Sequence, residues 1–180
     1  MKRGKKIVLL AHCLLNPNAK VNGLAATAGA LPLIKELVDA GCGLVQLPCP
    51  EHSYLGGKRW GMTVEQYDTA AYRAHCRKLL EPILNELLDY TADGYSLDCV
   101  LGMDGSPSCG VGQTCFGYAG GEISGLNAAP ACDLLPGSGV FMTVFKRMLA
   151  ENDLEIPFVG LDELNPAKAD WPSLLAAARS

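Results

Sequence analysis

Apolar residues fall along this chain in two kinds of run, and their alternation predicts the architecture. Ile7–Ala11 is short, continuous and rich in branched side chains, as a strand covered on both faces by helices is, and Gly43–Leu47, Leu97–Met103 and Ile156–Gly160 are the other mainly apolar runs of strand length. Between them the spacing is helical. Leu33, Ile34, Leu37 and Val38 recur within Ala30–Ala40, which stops at Gly41 and Gly43. Thr63, with Gln66 three residues later, opens a stretch running to about Tyr90. Val140–Leu149 and the alanine-rich Trp171–Arg179 read as two more helices. Pro82 is expected to divide the long stretch or to begin a new first turn.

Strands alternating with helices imply an α/β fold, a Rossmann-like three-layer sandwich with a mostly parallel sheet of about four strands, over a single domain spanning 1–180. A strand order beginning 2-1-3 would put the ends of the first and third strands beside the switch point, where ligands bind. Leu14–Gly29 reads as a loop carrying Asn-Pro and Asn-Gly turn signals. Gly105–Gly139 reads as a glycine-rich loop whose length marks it as functional.

Charge and composition narrow the partners. The net charge is -4 and the basic residues are scattered except at the N-terminus, so no basic stripe is available to polymeric nucleic acid. No apolar run approaches the roughly 18 residues that span a bilayer. Met1–Lys6 followed by Ile7–Ala11 resembles a short signal peptide, and Leu10–Cys13 a lipoprotein cleavage box. The apolar run is shorter than an h-region of roughly 7–15 residues, and His12 is large for the cleavage site, so a first strand is expected there. Eight cysteines in 180 residues are too few for a disulfide scaffold, and a reducing, cytoplasmic compartment is expected. Cys42, Cys76, Cys99 and Cys132 read as small hydrophobes.

Cys13, Cys49 and Cys109 differ from these in context. Each sits just past a predicted strand, beside Pro, Asn, Ser or Gly, where the backbone turns and can expose a sulfur. Gathered at one edge of a parallel sheet, they would make an incomplete soft-metal site with one position open for chemistry. There is no Cys-x-x-Cys, which disfavours ferredoxin, zinc-ribbon and thioredoxin sites. Separations of tens of residues are not in themselves a ligand signature. A metal-free cysteine nucleophile, Cys109 or Cys13 with His12 as base, and a cluster-binding accessory module without turnover therefore stay open. Cys115 is the spare ligand candidate.

The neighbouring residues carry two readings each. Glu51, two residues past Cys49, is either a carboxylate that moves a proton at the metal or a solvated or helix-capping acid. His12 and His52 flank two of the cysteines and either bind substrate or lie on the surface. Ser106 and Ser108 are either turn formers or hydroxyls aimed at the substrate. Glycines around Cys109 would let backbone N–H groups approach a cluster. Tyr54, Trp60 and Tyr118 either stack on a flat heterocycle or pack at the rim. Gly117–Gly125 is a weak phosphate-cradle signal, since no P-loop ending follows.

Three motifs taken in order, Cys13-Leu-Leu, Cys49-Pro-Glu51 followed by Gly56-Gly57, and Ser106-Pro-Ser-Cys-Gly110, resemble the small desulfidases related to thiouracil desulfurase. The likeness spans the chain to about residue 110. It implies a [4Fe-4S] cluster held by three cysteines, Cys13, Cys49 and Cys109, with one open iron that binds the sulfur of a thiocarbonyl small molecule. Glu51 would be the acid/base and Ser106 the serine beside the substrate, in a non-redox hydrolysis releasing hydrosulfide. The chain departs from that family's pattern at His12, at Lys20–Gly23, at Lys58–Thr63 and in the glycine-rich stretch after Gly110, as a divergent branch would.

Overall fold

The computed structural model describes residues 3–121 and 132–165. In chain order the elements are β1 (Lys6–Leu10), α1 (His12–Leu15), a 3-10 turn (Pro17–Ala19), α2 (Leu33–Asp39), β2 (Gly43–Gln46), α3 (Pro50–Leu55), α4 (Val64–Tyr67), α5 (Ala70–Ala92), β3 (Ser96–Met103), β4 (Gln113–Phe116), β5 (Asp133–Pro136), α6 (Val140–Ala150) and β6 (Phe158–Leu161). Four strands form one all-parallel sheet in the order β2-β1-β3-β6. This is the expected α/β architecture. The chain moves from β1 to β2 in one direction along the sheet and from β2 to β3 in the other. Right-handed crossovers therefore put α2 on one face and α5 on the opposite one, and α5 packs beside α6.

The central strand is the most buried because helices cover both its faces. Val8, Leu9 and Leu10 of β1 and Val100 and Leu101 of β3 are all closed off from solvent. Tyr72, Cys76, Leu80, Leu84 and Leu87 make the buried stripe of α5, spaced three or four residues apart as a one-sided helix requires. Cys76 and Cys99 are core residues, as expected, while Cys42 is half-buried at the sheet's rim. No helix among the described residues is long and apolar enough to cross a membrane.

Five expectations need correction. Pro82 does not divide the long helix; α5 runs unbroken through it. Proline removes one hydrogen bond and frees the carbonyl four residues back, but Pro82 and Lys78 are both exposed, so water can take that carbonyl. The break comes earlier, where Asp68 ends α4 and Thr69 caps α5 by accepting from the Tyr72 N–H at 3.2 Å. The stretch expected as the loop Leu14–Gly29 holds instead the end of α1 and a 3-10 turn. The glycine-rich stretch contains a separate antiparallel pair, β4 with β5, and a Cys115–Cys132 disulfide. Cys132 is thus a bonded, exposed residue rather than a small hydrophobe, and Cys115 is committed elsewhere than to a metal. The expected helix at Trp171–Arg179 lies outside the described residues.

Candidate active site

Parallel strands deliver their C-terminal ends to one edge of the sheet, and adjacent strands lie about 4.8 Å apart. Because β2, β1 and β3 are neighbours in that order, the segments leaving them are held within about 10 Å of one another, at the point where the chain reverses direction along the sheet. Cys13 is in α1, two residues past Ala11, whose N–H donates to the Leu101 carbonyl at 2.8 Å. Cys49 precedes α3 and follows Leu47, which is tied to Leu10 (2.8 Å). Cys109 lies in the turn after β3, its carbonyl accepting from the Met103 N–H at 3.0 Å.

The three thiols feel one another. Burial pushes Cys109 far up, and Cys13, Cys49 and Glu51 add to the rise. Cys13, part-exposed as a residue, carries a thiol that burial pushes up to about 12; Lys20 opposes the shift, and Cys49 and Glu51 reinforce it. Cys49 is raised by burial against the His52 N–H, which donates to its sulfur at 3.4 Å. Three thiols whose ionisation is resisted first by burial, and at Cys13 and Cys109 also by neighbouring cysteines, are a donor set that a multivalent cation would stabilise as thiolates. No group of three or more His, Cys, Asp or Glu among the described residues has the spacing of a single bound ion. A cluster places its thiolates on separate irons, so its ligands need not converge on one point. Three cysteine sulfurs are the donor chemistry that such a cluster takes.

Glu51 stands beside them in the first turn of α3. Its Oε2 accepts from Arg59 Nε at 3.2 Å; its Oε1 accepts from Ser108 Oγ at 2.9 Å and from Ser106 Oγ at 3.4 Å. Ser106 serves in both of its expected readings, since its Oγ also accepts from the Ser108 and Cys109 N–H groups (3.3 and 3.0 Å) and so shapes the turn. Ser108 is fully buried. With its one proton given to Glu51, its oxygen must accept from Tyr72 Oη at 2.9 Å, and burial keeps that phenol protonated by pushing it strongly up.

The turn carrying Cys109 is pinned by α6. The Val140 N–H donates to the Pro107 carbonyl, and those of Phe141 and Met142 to the Ser108 carbonyl. A Cβ at Gly139 would overlap the Ser108 carbonyl, and one at Gly110 would overlap the Gln113 carbonyl. These glycines allow close backbone approach, and the Gly110 N–H is already given to Ser106 O at 3.0 Å. Their evident role is packing of the turn.

Other expected residues are placed less centrally. Burial pushes the His12 imidazole below its usual range, opposed by the Leu47 backbone and reinforced by nearby His52; its Nε2 lies 3.4 Å from Asn16 Nδ2. His52 is exposed and reaches Cys49 through its backbone. Tyr54 packs edge-on against Tyr72 at 5.2 Å. Trp60 is 84 % exposed and joins no cluster. Tyr118 Oη donates to Gly121 O. The Gly117 N–H donates to Glu65, which is opposite to what a phosphate cradle needs; residues 122–125 of that stretch lie outside the described ones.

Sequence reasoning missed Arg59, Tyr72, Tyr67 and Lys20. Arg59 is buried, and besides Glu51 it donates to Ala19 O (2.7 Å) and Gly56 O (3.1 Å). Its only sequence signal was a position just after Gly56-Gly57. Tyr72 reads as one more apolar position of α5, because nothing local reveals a partner 36 residues away. Lys20 is ion-paired with Glu163, just past β6.

Set against known proteins, the chain is 44% identical over 110 residues to the uncharacterised protein MJ0003 of Methanocaldococcus jannaschii, a match covering 61% of this chain and 70% of that protein. No family model matches the chain, and no solved structure matches it.

Proposed function

The chain belongs to the family of the archaeal protein MJ0003, and from its motifs and the arrangement of its cysteines and Glu51 we propose that it is a desulfidase. It would bind a [4Fe-4S] cluster through Cys13, Cys49 and Cys109 and hydrolyse the C=S bond of a small thiouracil-like thiocarbonyl compound. The observation that carries this reading is the placement of Cys13, Cys49 and Cys109 in the segments leaving the adjacent parallel strands β1, β2 and β3, with Glu51 hydrogen-bonded to the turn that carries Cys109. The likeness of the three motifs to the thiouracil desulfidases supports the same reading. Bound there, the cluster would supply a Lewis acid for the thiocarbonyl sulfur through an iron that no cysteine holds.

The chain's own groups supply the rest. A carboxylate has about four lone-pair sites. Arg59, Ser106 and Ser108 fill three of those on Glu51, leaving one to take a proton from water as its oxygen attacks the thiocarbonyl carbon. Overall, the thiocarbonyl and water give the carbonyl and hydrogen sulfide, with no electron gained or lost. Ser106 has a second task, because its hydroxyl lies in the turn of Cys109 and can reach both Glu51 and a substrate held there.

The metal-free nucleophile is the weaker alternative. A thiol pushed up to about 12, like that of Cys13, is thiolate in only roughly one molecule in ten thousand at pH 8. Anaerobic purification with iron and sulfide analysis tests the proposal. About four of each per chain, with turnover of a thioamide panel that disappears in Cys49→Ala, supports it. Iron-free protein that cannot be reconstituted, or Cys49→Ala protein that keeps both iron and turnover, refutes it.

A further inference from the structure

Tyr72, near the start of α5, stands two hydrogen bonds from the carboxylate that moves the proton in the proposed reaction. Its Oη lies 2.9 Å from Ser108 Oγ, which in turn donates to Glu51 Oε1 at 2.9 Å. A hydroxyl has one proton, and an ionised carboxylate only accepts. The chain therefore runs one way, from Tyr72 to Ser108 to Glu51. Tyr72 is 1 % exposed and Ser108 0 %, so solvent does not compete for either hydroxyl. The phenol is also held in place. The Tyr72 N–H donates to Thr69 Oγ1 at 3.2 Å, Tyr54 meets the ring edge-on, and Tyr67 lies against it at 4.7 Å between centroids. On the other side of the carboxylate, Arg59 Nε donates to Glu51 Oε2 at 3.2 Å. Glu51 is thus gripped at both oxygens, by an arginine at one and by a serine whose own direction is set from α5 at the other.

We propose that Tyr72 is a positioning residue for the hydrolysis: by donating to Ser108 it keeps the Ser108 proton turned to Glu51, and the Ser108 and Arg59 bonds together fix the plane of the carboxylate that takes the proton from water. The catalytic role rests on the desulfidase reading, whereas the chain from Tyr72 to Glu51 does not. Linked hydrogen bonds of this kind polarise one another in a water-free setting, so the phenol strengthens the bond to Glu51 as well as aiming it. Tyr72 touches neither the substrate nor the reacting atoms and keeps its own proton throughout. It acts only through Ser108.

That dependence makes the role testable with two small substitutions, Tyr72→Phe and Ser108→Ala, and their combination. Urea unfolding reads the first link without turnover: the two substitutions are expected to be coupled by about fivefold or more in the folding equilibrium constant, and additive effects overturn the chain. A crystal structure with Tyr72 Oη out of hydrogen-bond reach of Ser108 Oγ overturns it as well. With a thioamide substrate, Tyr72→Phe is expected to keep its iron content and its KM while kcat falls roughly tenfold, the rate worth of one hydrogen bond. In the Ser108→Ala background the same substitution is expected to cost nothing further in kcat. An unchanged kcat, a loss of iron, or a full tenfold loss that persists without the serine hydroxyl overturns the positioning role. Wild-type protein that turns over no thioamide overturns the desulfidase reading and the role together, whereas any of those three results in protein that does turn over overturns the role alone.

Discussion

Arg59→Met isolates the contact on which the candidate site depends most. The Arg59 side chain is 3 % exposed and that of Glu51 12 %, so the pair is shielded from the water that makes surface ion pairs worth little. Removing one partner leaves a carboxylate without its cation and deprives the Gly56 and Ala19 carbonyls of their donor. Breaking a buried pair in this way costs about 3–5 kcal/mol. Glu51 keeps two serine donors, which puts the expected loss at the low end, about 3 kcal/mol, or a fall in Tm of roughly 6–12 °C for a chain of this size. Urea unfolding measures it, with an unchanged m-value showing that the native state is otherwise intact. Glu51→Gln alone and the double variant complete a cycle. The double variant is expected to cost about 2 kcal/mol less than the sum of the singles, because neither then leaves a lone charge behind. A loss below about 1 kcal/mol for Arg59→Met, with additive singles, would mean that the pair is solvated and does not hold Glu51 in place.

Substituting Cys13, Cys49 or Cys109 by Ala is expected to abolish iron binding, whereas Cys42→Ala, remote from the strand ends that carry them, keeps it; iron analysis after anaerobic reconstitution distinguishes the two groups. Gly139→Ala forces a methyl group onto the Ser108 carbonyl and is expected to destabilise the protein by roughly 1–3 kcal/mol while lowering iron content, since the displaced turn carries Cys109. The buried Cys76 and Cys99 thiols are pushed up to about 12 by burial. The unfolded chain loses these protons first, near pH 9, so the stability they contribute is fully present below that pH and lost as pH rises through about 12. The expected slope is roughly 1.4 kcal/mol per pH unit per thiol, and Cys99→Ala should flatten it by one such increment in unfolding curves collected from pH 8 to 11.

Ile7–Ala11 was legible as a strand of a parallel sheet because a strand buried on both faces reads as a continuous apolar run, a local property of sequence, and Gly43–Leu47 and Leu97–Met103 were legible because short, mainly apolar runs alternate with helical spacing. Their parallel pairing then put Cys13, Cys49 and Cys109 on one edge without any knowledge of contacts. The Ser106 turn and the Thr63 cap, in which the Thr63 N–H donates to Gln66 Oε1 at 3.0 Å, were legible for the same reason, since each closes within a few residues. Tertiary structure alone decided what closes over long separations. Arg59 reaching Ala19, Tyr72 reaching Ser108 and Lys20 reaching Glu163 leave no periodic trace, because a polar partner is specified by position in space and not by spacing along the chain. Pro82 inside α5 belongs with them. Local rules place a break there, but a helix anchored on its other face by Tyr72, Cys76, Leu80, Leu84 and Leu87 keeps its course and leaves one exposed carbonyl to water.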